Sequence, residues 1–410
     1  MSALSGAAVA AAPRRPAGLP RALYVHVPFC ERLCPYCDFA VHVGGEALHQ
    51  RYVDAVGREL ERLARAARAL TAGSAGPPPP LSTVFIGGGT PSLLAVPLIR
   101  RLLDTVRGAF GIGADAEVTI EANPSGLDGG RAAGWLEAGV TRVSLGVQSL
   151  DDDVLRQLGR GHDAAGALRA LAALRAAGVR HLSCDLIYAV PGRPAATFER
   201  SLERLLALAP EHLSCYELTV EAGTRLHRQV AAGLVRVPAP AAALRQHWWA
   251  VDRLEAAGYA HYEVSNFARR GERCRHHLVY WRGGGYWAVG AGAHAHLPVA
   301  VAARLGLATG PGALAVRTWN HRSLHRYLQQ VEQSGSGVAG LESVDRGRRR
   351  LERFLLGLRL SCGLRLRSAP GRARAAPLIT GQLLEARRDR VRLTRRGQEL
   401  LDAVAVRLAG

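Results

Sequence analysis

The chain has 410 residues, of which 48% are hydrophobic, and such a length can bury one large core and a smaller second one. Its net charge is +19, and all 53 basic positions are arginine. No apolar run of about 18 residues is free of breaks and charges, which excludes a transmembrane helix. The arginines are spread widely without an RNA-binding motif, so we expect weak contact with a membrane surface rather than specific nucleic-acid binding.

The first 20 residues are rich in alanine, but Arg14 and Arg15 follow the apolar part instead of preceding it. A secretory signal carries its basic residues first, so we interpret residues 1–20 as a flexible tail. The protein is therefore expected in the cytoplasm. In that compartment the seven cysteines do not predict a disulfide framework.

An alternation of apolar strands and helix-like segments follows, and it predicts parallel strands joined by crossover helices. The predicted strands are Leu23–Val27, Thr83–Ile86, Glu117–Ala122, Arg142–Val147, His181–Tyr188 and His212–Leu218. The predicted helices are Ala47–Leu70, Val96–Phe110, Gly130–Ala138, Ala164–Ala177 and Ala195–Leu208. Six such units fit an α/β fold of the partial (β/α)6 barrel type.

The regular alternation of strands and helices ends after the sixth predicted strand. A predicted helix over Ala241–Ala257 and a strand over Tyr259–Val264 lead into an aromatic, His-rich and Gly-rich region. From Arg346 onward, helices surround a predicted strand pair near Leu383–Leu393, and Thr394 opens a last helix, as in the wing and final helix of a winged-helix domain. We therefore divide the chain into the tail, a barrel over 21–225, an accessory region over 226–340 and a smaller α+β winged-helix-like domain over 341–410.

Three cysteines follow the first predicted strand at the spacing C-x3-C-x2-C, namely Cys30, Cys34 and Cys37. Three thiolates on one tight loop can hold three irons of a [4Fe–4S] cluster and leave the fourth iron open. Inert buried cysteines are one alternative. Zinc is another, although structural zinc takes four ligands and no second C-x2-C pair is present. The remaining cysteines are single and scattered, at Cys184, Cys215, Cys274 and Cys362.

Further sequence motifs directly follow the second to fifth predicted strands. Gly87–Thr90 follows the second strand, Asn123 the third, Gln148 the fourth and Pro191 the fifth. The carboxyl ends of parallel strands meet at one edge, where α/β barrels carry their active sites, so we expect these motifs to converge. Glycines let a ligand approach the backbone closely, and their N–H groups can bind a carboxylate or phosphate. A tight turn is the alternative interpretation of the glycine motif.

Four polar side chains at this edge are candidate contacts to a charged ligand. Glu121 lies at the end of a predicted strand, and burying its charge without a partner is costly. The alternative to a ligand contact is therefore a structural ion pair. Gln148 suits a sugar hydroxyl. The guanidinium group of Arg160 has the geometry to bind a carboxylate through two hydrogen bonds. The alternative is a solvated arginine at the surface. Asp185 is unusual inside an apolar strand without a partner, whereas Asp151–Asp153 predict the start of a helix.

A second group of candidates consists of His276, His277, Tyr280 and Trp281. Imidazole is a common haem ligand, and aromatic rings stack on porphyrins. The alternative is a hydrogen-bonded histidine packed among aromatic neighbours. We interpret the histidines of the Gly290–His296 turn as local hydrogen bonders rather than ligands.

The cysteine loop and its neighbours resemble those of the radical S-adenosylmethionine (SAM) enzymes. The segments YVHVPFC, CPYCDF, GGGTPS, EANP, GVQS, LGRGH and YAVPG are similar to the oxygen-independent coproporphyrinogen III oxidase family and its haem-chaperone relatives. The resemblance implies a cluster held by the three cysteines, whose open iron binds the amino and carboxylate groups of SAM. The SAM contacts that it implies are Tyr24, Tyr36, Gly88, Gly89, Thr90, Glu121, Gln148, Arg160 and Asp185.

Two features favour the chaperone type over the oxidase. The classical oxidase has a fourth cysteine where this chain has Phe39, and its N-terminal extension is longer than the 29 residues before Cys30. The chaperone type carries His-Asn-x-x-Tyr-Trp, which His276–Trp281 resembles except that His277 stands at the Asn position.

The resemblance thus implies a protein that binds haem, an anionic porphyrin, and passes it to acceptor haemoproteins. The alternative is an enzyme that decarboxylates coproporphyrinogen III oxidatively to protoporphyrinogen IX. The sequence leaves open whether SAM is cleaved and whether the chain forms a homodimer.

Overall fold

The computed structural model describes residues 18–72, 77–366 and 368–410. Most of the predicted tail lies outside the described residues. Six parallel strands pair in chain order, namely β1 (Ala22–Val27), β2 (Leu81–Gly88), β3 (Ile112–Ala122), β4 (Arg142–Gln148), β5 (His181–Tyr188) and β6 (His212–Glu217). All six predicted strands are confirmed, and β2 and β3 begin earlier than predicted.

Helices connect these strands and cover the outer face of the sheet. They are α1 (Glu46–Thr71), α2 (Val96–Phe110), α3 (Gly129–Ala138), α4 (Asp152–Gln157), α5 (Ala164–Ala176) and α6 (Ala195–Ala207). The short α4 begins where Asp151–Asp153 predict a helix start, because the Asp151 side chain accepts hydrogen bonds from the first backbone N–H groups. The five longer helices agree with the predicted ones to within a residue or two.

The alternation of side chains along β1 decides which residues face the helices and which face the barrel interior. Leu23, Val25 and Val27 are fully buried in the main core. The intervening Tyr24 stacks on Phe85 of β2, with ring centroids 6.2 Å apart, so these two side chains share the inner face. Polar side chains on this inner face are therefore the ones that build a site.

The accessory region extends the sheet at both edges. Its first elements are α7 (Arg225–Ala231), α8 (Pro240–Ala256), β7 (Ala260–Glu263), β8 (Asn266–Ala268), α9 (Arg275–Trp281) and β9 (Trp287–Val289). β8 pairs antiparallel with β6, and β7 pairs with β8. At the opposite edge, β9 pairs parallel with β1.

A second, antiparallel sheet follows, which the sequence analysis did not predict. It consists of β10 (His294–Pro298), β11 (Ala315–Asn320) and β12 (Val338–Val344), in that spatial order. The helices α10 (Val299–Arg304) and α11 (Leu324–Ser334) accompany it and pack on α1.

The C-terminal part is a smaller α+β unit with its own core. Its elements are α12 (Arg346–Gly357), β13 (Leu364–Arg365), α13 (Ala369–Thr380), β14 (Leu384–Arg387), β15 (Arg390–Leu393), α14 (Arg395–Gln398) and α15 (Leu401–Ala409). Phe354, Val391 and Leu408 belong to its core. The predicted strand pair is confirmed. Thr394 caps the short α14, whereas the last helix, which it was predicted to open, begins separately at Leu401. None of the helices in the described residues has the length and apolar character needed to cross a membrane.

Candidate functional site

One cavity of about 460 Å³ lies at the carboxyl ends of the six parallel strands. Its volume is in the range of about 300 to 1,000 Å³ that is typical of small-molecule sites. Among its lining residues are Cys30, Cys34, Cys37, Tyr36, Gly88, Gly89, Thr90, Glu121, Asn123, Gln148, Arg160 and Asp185. The predicted convergence at this edge is therefore observed. Pro191 lies to the side, where its carbonyl accepts a hydrogen bond from Gln157 Nε2 at 2.8 Å.

The three cysteines are free thiols at the surface of this cavity, each partly exposed. Their loop returns to β1, because the Cys30 N–H donates to the His42 carbonyl at 3.0 Å. Burial raises the pKa of the Cys30 and Cys37 thiols, and the neighbouring Cys34 thiol adds to both shifts. Thiolates in this setting require a compensating positive charge, such as bound iron.

The cysteine arrangement is compatible with an iron–sulfur cluster. Within the residues that the structure describes, no three His, Cys, Asp or Glu side chains form a group able to hold one metal ion. Zinc needs all its ligands around one point. In a [4Fe–4S] cluster each thiolate binds a different iron, so three separated thiols beside an open cavity are compatible with it.

Two glycines allow the loop after β2 to pack against the cysteine loop. Gly88 has φ +119°, and a Cβ there would lie 2.8 Å from the His26 ring. A Cβ on Gly89 would lie 2.7 Å from the Phe29 carbonyl oxygen and 3.0 Å from Cys30 Sγ. The glycine motif therefore brings two backbone segments together, and it places the Thr90 hydroxyl 3.6 Å from Cys30 Sγ.

Glu121 and Asp185 are two carboxyl groups on the inner face, and neither forms an ion pair with a described residue. Glu121 Oε2 accepts a hydrogen bond from the Gly88 N–H at 2.9 Å, and burial raises the Glu121 pKa to about 7. Burial likewise raises the Asp185 pKa to about 6, against the effect of hydrogen bonds from Ser214 and Ser144. A positively charged ligand in the cavity stabilises the ionised form of both groups.

Arg160 lies at the cavity and not on a solvated surface. Its Nη1 is 3.9 Å from Cys34 Sγ, and its Nη2 donates to the Gly146 carbonyl at 3.2 Å. Its Nε is buried without a hydrogen-bond partner in the described part of the chain. Gln148 adopts φ +64°, a strained conformation for a residue with a side chain, at the point where the pairing of β4 with β5 becomes irregular.

Tyr24 lies beside this cavity and not among its lining residues. Its hydroxyl group bonds to His26 Nδ1 at 2.9 Å, and His26 Nε2 bonds to the Ala40 carbonyl at 2.9 Å. His26 thus links the inner face of β1 to the return of the cysteine loop. His26 was not among the residues predicted from the sequence, although a polar residue at an inward position of an apolar strand can indicate a functional site. The supporting Ser144 and Ser214 were not predicted either.

The second group of candidates lies at the opposite end of the barrel. His276 is fully buried, and its ring nitrogens bond to the Thr83 hydroxyl at 2.9 Å and the Tyr280 hydroxyl at 2.7 Å. Its backbone N–H donates to Glu117 at 3.0 Å. Glu117 in the middle of β3 faces Thr83 near the start of β2, on the side away from the cysteine loop, so α9 packs against the barrel at the end opposite to the cysteines.

The other members of the second group are also packed. The rings of His276 and His277 each lie 5.2 Å from the Phe85 ring. The Arg359 guanidinium lies over the Trp281 indole at 4.3 Å. For His276 these contacts favour the interpretation of a hydrogen-bonded, packed histidine, because both of its ring nitrogens are already bonded. His277 is packed in the same way, but its Nδ1 is buried without a hydrogen-bond partner among the described residues.

Comparison with known proteins identifies the family. The model of the Radical SAM superfamily matches residues 24–205. The chain is 38% identical over 398 residues to the heme chaperone HemW of Mycobacterium tuberculosis, which covers 96% of both chains. It is 36% identical over 311 residues to the heme chaperone HemW of Escherichia coli, with 76% of both covered. The chain belongs to the HemW family of radical SAM proteins.

Membership of the radical SAM superfamily implies a [4Fe–4S] cluster and SAM. The solved structure of the coproporphyrinogen III oxidase HemN of Escherichia coli matches with a TM-score of 0.76, over 96% of this chain and 90% of that one. The two sequences are 23% identical, so the likeness establishes a common α/β fold and not a common activity.

Proposed function

We propose that this protein is a haem chaperone that binds haem, a [4Fe–4S] cluster and SAM, and delivers haem to acceptor haemoproteins. The observation that carries the proposal is the 38% identity to the heme chaperone HemW of Mycobacterium tuberculosis over 96% of both chains. Because the identity extends beyond residues 24–205, it is not explained by a common SAM-binding barrel alone.

Within this proposal, Cys30, Cys34 and Cys37 are the ligands of three cluster irons. The bound cluster supplies an open iron and an electron for SAM. The pKa of the Cys30 and Cys37 thiols, which burial raises, falls when iron binds, so cluster assembly releases protons from this loop. Arg160, 3.9 Å from Cys34 Sγ, offsets part of the negative charge of the thiolates.

We assign the remaining cavity residues to SAM according to their chemistry. Glu121 and Asp185 offer carboxylates to a positively charged ligand, and Arg160 offers a donor fork to a carboxylate. Gln148 suits the ribose hydroxyls. The backbone at Gly88, Gly89 and Thr90 borders the methionyl part, and Tyr36 borders the cluster. We infer that Tyr24 acts indirectly through His26, because its hydroxyl group is already bonded to that ring.

The test uses anaerobically purified, cluster-reconstituted protein with SAM and a reductant. One portion receives haem and then an excess of a haem-free b-type haemoprotein, and a second portion receives coproporphyrinogen III. We expect a stable Soret band that moves to the acceptor, and no protoporphyrinogen. The triple variant Cys30→Ala, Cys34→Ala, Cys37→Ala is the control and is expected to contain no cluster iron. Decarboxylation over many turnovers contradicts the proposal and identifies an oxidase.

A further inference from the structure

The short segment between α4 and α5 carries a histidine, His162, that is not among the residues lining the cavity. It ends the sequence Leu-Gly-Arg-Gly-His, in which Arg160 does line the cavity. His162 is half-buried, and each of its ring nitrogens contacts a neighbouring element. The assignment of Arg160 to SAM therefore does not explain why a histidine ends this motif.

His162 connects the ends of two neighbouring strands. Its Nε2 lies 3.1 Å from the carbonyl oxygen of Val147 on β4, and its Nδ1 lies 3.1 Å from the amide oxygen of Asn123, which directly follows β3. Asn123 is in turn bonded to the turn after β2, because its backbone N–H donates to the Ser92 hydroxyl at 3.0 Å. One chain of hydrogen bonds therefore links the segments that follow β2 and β3 to the end of β4, next to the cavity.

The imidazole of His162 is neutral at physiological pH, because burial and the nearby Arg160 lower its pKa to about 4. A carbonyl oxygen only accepts hydrogen bonds, so the single ring proton has to be on Nε2, which donates it to Val147. Nδ1 is then an acceptor, and a half turn of the Asn123 amide, which exchanges two groups of nearly equal size, presents a donor to it. The donor that His162 offers to β4 is therefore Nε2–H.

The Val147 carbonyl oxygen also closes an unusual turn. It accepts a hydrogen bond from the Ser149 N–H at 2.8 Å, and Gln148 between them has φ +64°. A three-residue turn with a positive φ at its centre is rare and strained, and it persists only where its surroundings hold it. The oxygen has a second lone pair, which accepts the Nε2–H of His162, so this histidine is placed to hold the turn.

The same segment holds the end of β4 at two successive carbonyl groups. Arg160 Nη2 donates to the Gly146 carbonyl at 3.2 Å, and His162 bonds to the next one, that of Val147. A Cβ on Gly146 would lie 2.8 Å from Gln148 Nε2 and 3.4 Å from Arg160 Nη2, so both side chains pass close to this glycine. The conformation of the turn therefore decides where the Gln148 amide lies in the cavity.

We propose that His162 is a positioning residue for SAM, which holds the turn at Gln148 so that the Gln148 amide faces the cavity. This inference rests on the assignment of Gln148 to SAM in the proposed function. Without the Nε2–H donor, the strained turn is free to relax to a negative φ. The Gln148 amide then leaves the position from which it reaches the ligand.

The test uses two substitutions of His162 in the full-length, cluster-reconstituted protein. His162→Phe keeps a ring and removes both nitrogens, whereas His162→Gln keeps an N–H donor for the Val147 carbonyl. Calorimetric titration with SAM measures the affinity, and iron analysis shows whether the cysteine loop is intact. We expect His162→Phe to weaken SAM binding about tenfold, the effect of one lost hydrogen bond, with unchanged iron content. His162→Gln is expected to recover most of this loss.

A double-variant cycle separates positioning from a general structural effect. If His162 acts through Gln148, His162→Phe costs little further affinity in a protein that already carries Gln148→Ala. Hydrogen exchange of the SAM-free protein gives an independent readout, because the Ser149 N–H that closes the turn is expected to exchange faster in His162→Phe. His325→Ala, at an exposed histidine of α11, is the control and is expected to match the wild type in both measurements.

The outcomes distinguish this inference from the proposed function. If Gln148→Ala binds SAM as tightly as the wild type, the assignment of Gln148 fails and the inference falls with it, whereas haem transfer is tested separately. If Gln148→Ala weakens binding but His162→Phe does not, or if the two losses add in full, the assignment of Gln148 stands and His162 is not its positioning residue.

Discussion

At the scale of the residue, the two carboxyl groups of the cavity, Glu121 and Asp185, are the most unusual groups for a buried position. Both have a raised pKa because burial disfavours their charge, and each is the acceptor of hydrogen bonds from backbone or hydroxyl donors. In the absence of a positive partner, the folded protein holds protons there that the unfolded chain releases. Binding of a positively charged ligand and ionisation of these groups are therefore coupled.

We expect the affinity for SAM to depend on pH through Glu121. Its pKa of about 7 means that the carboxyl group is mainly protonated one unit below that value and mainly ionised one unit above it. A positively charged ligand prefers the ionised form, so affinity rises as pH increases through this range. Calorimetric titration at both pH values measures the effect. Glu121→Gln is expected to show a weaker pH dependence, because only Asp185 and SAM itself still titrate in this range. The same pH dependence in both proteins contradicts the assigned role, since the titration of SAM itself is common to both.

Gly89 gives a second prediction at this scale. In Gly89→Ala the new Cβ meets the Phe29 carbonyl oxygen and Cys30 Sγ, and backbone atoms cannot move aside as a flexible side chain can. We expect the cysteine loop to shift and the iron content after reconstitution to fall well below that of the wild type. Gly129→Ala is the matched control, because nothing lies within 4 Å of its added Cβ. Full iron content in both variants contradicts the close packing of the two loops.

At the scale of the element, the six parallel strands could be predicted because each is a local apolar run followed by a turn motif. Because these strands are parallel, polar side chains toward their carboxyl ends lie at the same edge of the sheet, as Glu121 on β3 and Asp185 on β5 do. The closure of the barrel by α9 could not be predicted in this way, because it depends on a contact between His276 and Thr83, which are 193 residues apart. The β10–β12 sheet was missed because its short strands are separated by loops and helices without a regular repeat.

One buried carboxylate, Glu59, contributes several hydrogen bonds to the contact of the accessory region with α1. It accepts hydrogen bonds from the Gly290 N–H, the Asn320 amide and the Tyr327 hydroxyl. Glu59→Ala leaves the Gly290 N–H and the Tyr327 hydroxyl unpaired and the Asn320 amide with its bond to the Gly290 carbonyl alone, so we expect a loss of about 3 kcal/mol or more in the free energy of unfolding. Urea denaturation measures it. Glu61→Ala removes an exposed carboxylate from the same helix and is expected to have little effect.

At the scale of the whole molecule, the C-terminal unit has a core separate from that of the barrel but is joined to the closed end of the barrel. Leu360 forms an isolated bridge with Glu263, and the Ser361 N–H donates to the Tyr262 carbonyl at 3.1 Å. The guanidinium of the adjacent Arg359 lies over the Trp281 indole. The segment that resembles a haem motif is thus covered from outside by the C-terminal unit, which supports a structural contribution of Trp281 to domain contact.

Arg359 is the residue through which this contact is best tested. Its Nη2 is 3.4 Å from Glu263 Oε2, and the Glu263 side chain is fully buried. Arg359→Ala leaves that carboxylate without its basic partner and removes the guanidinium from the indole, so we expect a loss of about 1 to 3 kcal/mol in the free energy of unfolding. Hydrogen exchange is expected to show faster exchange in α9 and in the segment around Leu360, because the two units separate more often.

The control is Arg365→Ala, which breaks the exposed pair of Arg365 with Asp389 within the same unit. An exposed ion pair contributes little, so stability and exchange at the domain contact are expected to match the wild type. If both variants lower stability equally, the C-terminal unit is sensitive to any arginine loss and the contact with the barrel is not the cause. If Arg359→Ala alone changes exchange in α9, the C-terminal unit stabilises the end of the barrel that lies opposite to the cysteines.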